Sequence, residues 1–172
     1  MPVFSHPYGE YSVLGTFNEW FSASVASALP SWMPSAVVNY DYPRTPLTFP
    51  SFSVTHMGTD ERAIAQSDNL DAGWKGVRKV NIASIGCWES RDRTSDFEMH
   101  IRQMTDMVLK LVRNTPSVEI KNLYTGATSA TGIGAIMRLE KATQPEPIAD
   151  PNPNVEGRAV TIVMSWLERV AV

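Results

Sequence analysis

The chain has 172 residues, 43% of them hydrophobic, with five Trp and eight Met, which is enough for one domain with a core and short for two. Its formal net charge of -3 and pI near 5.6 argue against a nucleic-acid binder that works by neutralising phosphates. The single cysteine, Cys87, excludes an internal disulfide.

Residues 1–10 (MPVFSHPYGE) read as an irregular arm and lack the basic start and apolar run of a secretion signal. No stretch reaches the roughly 20 apolar residues that span a bilayer, so the expectation is a soluble protein without membrane contact. From Val13 the apolar residues fall at Val13, Leu14, Phe17, Trp20, Phe21, Val25, Ala28 and Leu29, which predicts a helix over 13–29. Pro30 and Pro34 stop it. Ala36–Tyr40 is a short strand candidate. Pro43, Pro46 and Pro50 then exclude a central strand. Phe52–His56 alternates and predicts a second short strand. Residues 57–73 are polar without a period and read as a long loop, functional or mobile.

Trp74–Trp88 is the strongest strand signal inside the chain. Apolar residues lie on both of its faces, with Val77, Ala83, Ile85 and Cys87 on one and Val80, Ile82 and Trp88 on the other. Such a strand is covered on both sides, by a helix and by another subunit. Ser95 and Glu98 have the spacing of a capping box opening a helix over 96–113. Phe97, Ile101, Met104, Val108 and Leu111 form its stripe, and Lys110 and Arg113 suit its C-terminal end. Val118–Tyr124 and Ile136–Glu140 read as strands around a Gly/Ser/Thr connection (125–134). Residues 143–157 carry four prolines and read as a loop. Arg158–Glu168 alternates and pairs with 135–140 as an antiparallel hairpin with a very long tip. The expected architecture is α+β: two main helices packed on a mainly antiparallel small sheet, a single domain over 1–172.

Sites are weak in this sequence. His6, His56 and His100 have no metal-ligand spacing, and the ordinary reading of His100 is a solvated or half-buried helix residue. Cys87 in a strand reads as a small buried hydrophobe, and a dyad with His56 requires a tertiary coincidence. Glu89, Asp92 and Asp96 form a small acidic cluster offset by Arg91 and Arg93, read as a solvated turn and helix cap. Asp60, Glu61, Asp68 and Asp71 flank a loop and read as solubilising, with a divalent ion as the alternative. No catalytic, metal or cofactor-binding set emerges. Trp32, Met33, Trp74 and Trp88 are the interface candidates, because bulky apolar groups at turns and strand ends suit either a partner or the rim of the core.

The order of elements resembles that of the tail terminator proteins of long-tailed bacteriophages. The resemblance covers roughly residues 11–170. It rests on the N-terminal helix followed by VVNYDYPRTPLTFPSFSV, the strand RKVNIASIGCWE, the helix SDFEMHIRQMTDMVLKLVRN and the closing GRAVTIVMSWLERV. It implies a structural protein of the virion, not an enzyme and without a cofactor. Such a protein forms a homohexameric ring that caps the tail tube protein and joins it to the head connector protein. DNA passes through the ring without sequence-specific binding. The protein would sit at the head-proximal end of the tail, and in the host cytoplasm during assembly. The loops at 57–73 and 143–157 and the N-terminal arm depart from that layout. Another head–tail connector or tail-tube component, and a small cofactor-free hydrolase using Cys87, are the alternatives.

Overall fold

A computed structural model describes residues 10–40, 48–63, 74–121 and 136–171. In chain order these form α1 (Glu10–Ser27), β1 (Val38–Tyr40), β2 (Ser51–Ala63), β3 (Trp74–Ser90), α2 (Phe97–Asn114), β4 (Ser117–Glu119), β5 (Ile136–Ala142), β6 (Glu146–Ile148) and β7 (Val155–Ala171). The fold is α+β, with two helices on one mixed sheet of order β1-β2-β3-β7-β5-β4, and β6 joins β7. β1 pairs with β2 in parallel, whereas the other pairs are antiparallel. The expectation of hairpins therefore does not extend to β1.

α1 forms because Val13, Phe17, Phe21 and Val25 recur every fourth residue, and all four are fully buried. It ends where Pro30 approaches, in a turn closed by Met33 N–H to the Pro30 carbonyl at 3.0 Å. Phe21 meets Phe52 of β2 edge-on, 5.9 Å between ring centres, and Phe17 meets the His56 ring at 5.7 Å. At the far edge of the sheet, Thr16 Oγ1 accepts the Lys121 N–H just beyond β4 at 3.1 Å and donates to the Ser12 carbonyl at 2.6 Å. One helix thus reaches from β2 to the far edge of the sheet.

α2 presents Ile101, Met104, Val108 and Val112 to the same core. Its start differs from the predicted capping box. Asp96 occupies the N-cap at φ -91°, ψ 19°, with no side-chain cap bond, and the first helical bond runs from His100 N–H to the Asp96 carbonyl at 3.0 Å. A capping side chain needs an extended N-cap, which this backbone is not.

β3 and β7 pair along their whole length, from Trp74 opposite Ala171 to Ser90 opposite Val155. At about 3.4 Å per residue each is over 50 Å long. On the inner face Phe52 lies opposite Cys87, Val54 opposite Ile85, Ile85 opposite Val160 and Ala83 opposite Ile162. These join the side chains of both helices in one buried cluster.

β2 is longer than predicted, running through 57–63 where a loop was expected; residues 64–73 lie outside the described residues. A bulge hides the strand in the sequence. The pairing shifts between His56 and Thr59, and Gly58 sits at φ +110°, a conformation that glycine adopts without strain. Buried Asn81 fastens the bulge, its Nδ2 donating to the Gly58 carbonyl at 2.8 Å and to Thr59 Oγ1 at 3.0 Å. Its Oδ1 then accepts from His56 Nδ1, 3.1 Å away.

The region 143–157 is also more ordered than predicted. Glu146–Ile148 pairs with Gly157–Ala159, so the hairpin tip shrinks to 149–154. Pro147 is tolerated because β6 pairs on one side only, and an edge strand can spare a donor. β4 runs over 117–119 and so overlaps the expected strand 118–124 at 118 and 119. Residues 122–135, with the Gly/Ser/Thr connection, and residues 1–9 of the arm lie outside the described residues. Among the described residues no helix is long and apolar enough to cross a membrane.

Candidate functional site

The densest polar cluster stands where β3 hands over to α2. Glu89 is one residue from the end of β3 and its side chain is fully buried. Its Oε1 accepts from Arg93 Nε and from its neighbour's N–H, Ser90, both at 2.9 Å. Its Oε2 accepts from Arg93 Nη2 at 2.7 Å and from His100 Nδ1 at 2.9 Å. Burial pushes the Glu89 carboxyl up. The hydrogen bonds from Arg93, His100 and Ser90, with the Arg93 charge, outweigh it and hold the carboxyl below the usual range. An ionised carboxylate only accepts, so His100 carries its proton on Nδ1.

The His100 ring lies flat under the Trp32 indole, 3.6 Å between centres and 2° between planes. Trp32 Nε1 donates to Gln103 Oε1 one turn along α2. The stack clamps the turn after α1 onto α2. Beside it a groove of about 510 Å3 runs between that turn and the second half of α2, walled by Pro30, Trp32, Gln103, Met107, Lys110 and Leu111.

The acidic trio of the sequence divides. Glu89 is buried, not solvated; Asp92 and Asp96 are exposed. Their pairing escaped the sequence because His100 is eleven residues from Glu89 and reaches it only through the turn at 91–96. The four-residue spacing of Glu89 and Arg93 was the one available signal. His100 is buried rather than half-solvated.

Met33 is 1% exposed and Trp88 2% exposed, so within the chain both are core residues. Trp88 lies over two glycines on the outer face of the sheet. A methyl group at Gly157 would stand 2.6 Å from its ring, and the indole N–H donates to Ser53 Oγ at 2.9 Å. Trp32 keeps a half-exposed position on the groove. The Trp74 backbone belongs to β3, and its side chain lies outside the described residues.

Cys87 is fully buried on the inner face, and burial pushes its thiol far above the usual range. His56 is turned to Asn81 and to Asn18 Oδ1, 3.0 Å away. Cys87 lies opposite Phe52, four residues from His56 along β2, about 13 Å at 3.3 Å per residue and beyond hydrogen-bond reach. Asp60 is exposed, the Glu61 side chain is outside the described residues, and so are Asp68, Asp71 and His6. Among the described residues no three His, Cys, Asp or Glu side chains group as metal ligands do.

No known family model matches the chain, and no curated protein matches its sequence.

Proposed function

We propose that the chain is a structural virion protein, a tail terminator whose homohexameric ring caps the tail tube and joins it to the head connector. The observation that carries this reading is the unequal dressing of the sheet. Both helices pack on its inner face. The outer face presents Ile82 and Leu167 to solvent on the neighbouring strands β3 and β7. An α+β subunit with exposed apolar groups on the face away from its helices suits contact with neighbours. The same reading takes the chain as one domain with a mainly antiparallel sheet, around a lumen through which DNA passes without sequence readout.

The polar chemistry described above supports a structural role. Glu89, the most buried carboxylate in the cluster, has its oxygens engaged by Arg93, Ser90 and His100. A hydrolase built on Cys87 would need an accessible, acidified thiol, and this one is neither. A connector or tail-tube subunit shares the support from the sheet, and differs in where it sits on the particle.

Electron microscopy of the purified protein, alone and with tail tubes, tests the reading. Rings with a central channel, seated on one end of each tube, are expected. Monomers alone at high concentration and with tubes present would refute it; continuous tubes would select the tail-tube alternative.

A further inference from the structure

The hairpin tip at 149–154 lies before the first turn of α2, the groove beside Trp32 runs along that helix from Gln103 to Asn114, and their chemistry is complementary. The tip is rigid and exposed. Asn152 N–H bonds to Asp150 Oδ1 at 2.8 Å and Asn154 N–H to Asn152 Oδ1 at 3.0 Å. The Asn154 carbonyl accepts the Arg91 N–H at 2.8 Å, and Asn154 Nδ2 donates to Asp92. These bonds hold Pro151, Asn152 and Pro153 out in solvent. They also fasten the tip near the first turn of α2. Counted from Phe97, the groove runs from about 9 Å along that helix at Gln103 to about 25 Å at Asn114, at 1.5 Å per residue, and none of residues 149–154 lines it. The tip of a chain, held at Arg91 and Asp92, does not fill that chain's own groove.

The charges are polarised in the same direction. Beside the tip stand Asp92, Glu146 and Asp150, with Glu156 already paired to Arg91 and Arg158 opposite Pro147 at the base of the hairpin. At the groove end Lys110 and the neighbouring Arg113 are exposed and outnumber Asp106. We infer that the groove between the Pro30–Met33 turn and α2 receives the Pro151–Asn154 tip of a second copy of this chain. The prolines, held out by the turn, pack on the Trp32 edge and Leu111. The Asn amides reach Gln103, and the acidic surround of the tip meets Lys110 and Arg113. A preformed tip loses little entropy on docking. Knob and groove are different surfaces, so the contact is head-to-tail and closes when the rotation per copy divides a full turn.

This inference rests on the ring reading, and sedimentation of the full-length chain separates the two. Wild type is expected to associate, more tightly at low salt. Lys110→Glu with Arg113→Glu should weaken association by about tenfold. Adding Glu146→Lys should recover much of the loss. Every one of these side chains is exposed, and circular dichroism checks that the variants fold. Should a variant misfold, a synthetic peptide spanning 147–155 added to wild type must lower its mass by competition. Association indifferent to the reversals and to the peptide overturns the docking and leaves the ring standing. A wild type that stays monomeric at every concentration, with or without tail tubes, overturns both.

Discussion

The two faces of the β3–β7 pair are made of different material. The inner face is Ala83, Ile85 and Cys87 against Val160, Ile162 and Met164, roofed by Phe17, Phe21 and Met104. The outer face alternates small and polar residues, Ser84, Gly86, Gly157 and Thr161, with one large ring, Trp88, and the exposed Ile82 and Leu167. The inner face gains stability by volume, at roughly 1.5–3 kcal/mol per fully buried large side chain. The outer face depends on clearance, because Trp88 fits only where there is no Cβ beneath it. The same strands thus answer to two rules, one that penalises lost atoms and one that penalises added ones.

The inner face breaks most severely. Phe17→Ala removes a ring in contact with Phe21, Trp20 and His56, and should cost about 3–5 kcal/mol in denaturant unfolding. Glu89→Gln comes next, at about 1.5–3 kcal/mol, because charged hydrogen bonds from Arg93 and His100 are weakened in a buried place. Its signature is in acid. The folded carboxyl binds protons less readily than the unfolded one, so its contribution is complete above the ordinary Glu value of about 4.3. That contribution is lost as pH falls through the lower, folded value. A pH series of melts should show wild type losing stability over that acid window and the Gln variant losing less.

The opposite rule is tested by adding atoms. Gly157→Ala drives a methyl group into the Trp88 ring and should cost about 1–3 kcal/mol, although no contact is removed. Thermal melting compared with Gly157→Ala in a Trp88→Phe background shows whether the ring is the obstacle: part of the loss should return. The smallest effect belongs to the exposed groups. Ile82→Ser should change unfolding of the chain by no more than about 0.5 kcal/mol. If the outer face meets neighbours, the same change lowers the mass seen in sedimentation. An unchanged mass would assign that face to solvent.

The legible parts of the fold were those with an uninterrupted period. α1 and α2 could be read from apolar residues at helical spacing, and β3 from Val77 to Trp88. What stayed hidden was structure held by backbone against a misleading composition. β2 beyond the bulge looks like a polar loop, and β6 looks like a proline-rich one, yet each gains its place by pairing with the strand that follows it. The Glu89 cluster was half visible. Opposite charges at 89 and 93 suggested compensation, but burial and the arrival of His100 depend on the turn geometry at 91–96, which no periodicity encodes. The burial of Trp88 was hidden for a related reason, since only the two glycines beneath it make room for a ring inside the protein.

The Gly58 bulge has a bearing on how the chain length can vary. Before it, Phe52 and Val54 are the positions opposite Cys87 and Ile85; beyond it, Thr59 takes the place opposite Asn81. The extra residue changes the parity of the strand, so inward positions are even-numbered on one side and odd-numbered on the other. Removing one residue of the Met57–Gly58 pair would restore ordinary pairing and leave both halves facing as they do now. Elsewhere in β2, the loss of one residue would turn one half inside out. The bulge is therefore a joint at which a single-codon deletion or insertion can be absorbed, and relatives differing in length by one residue within this strand should differ there.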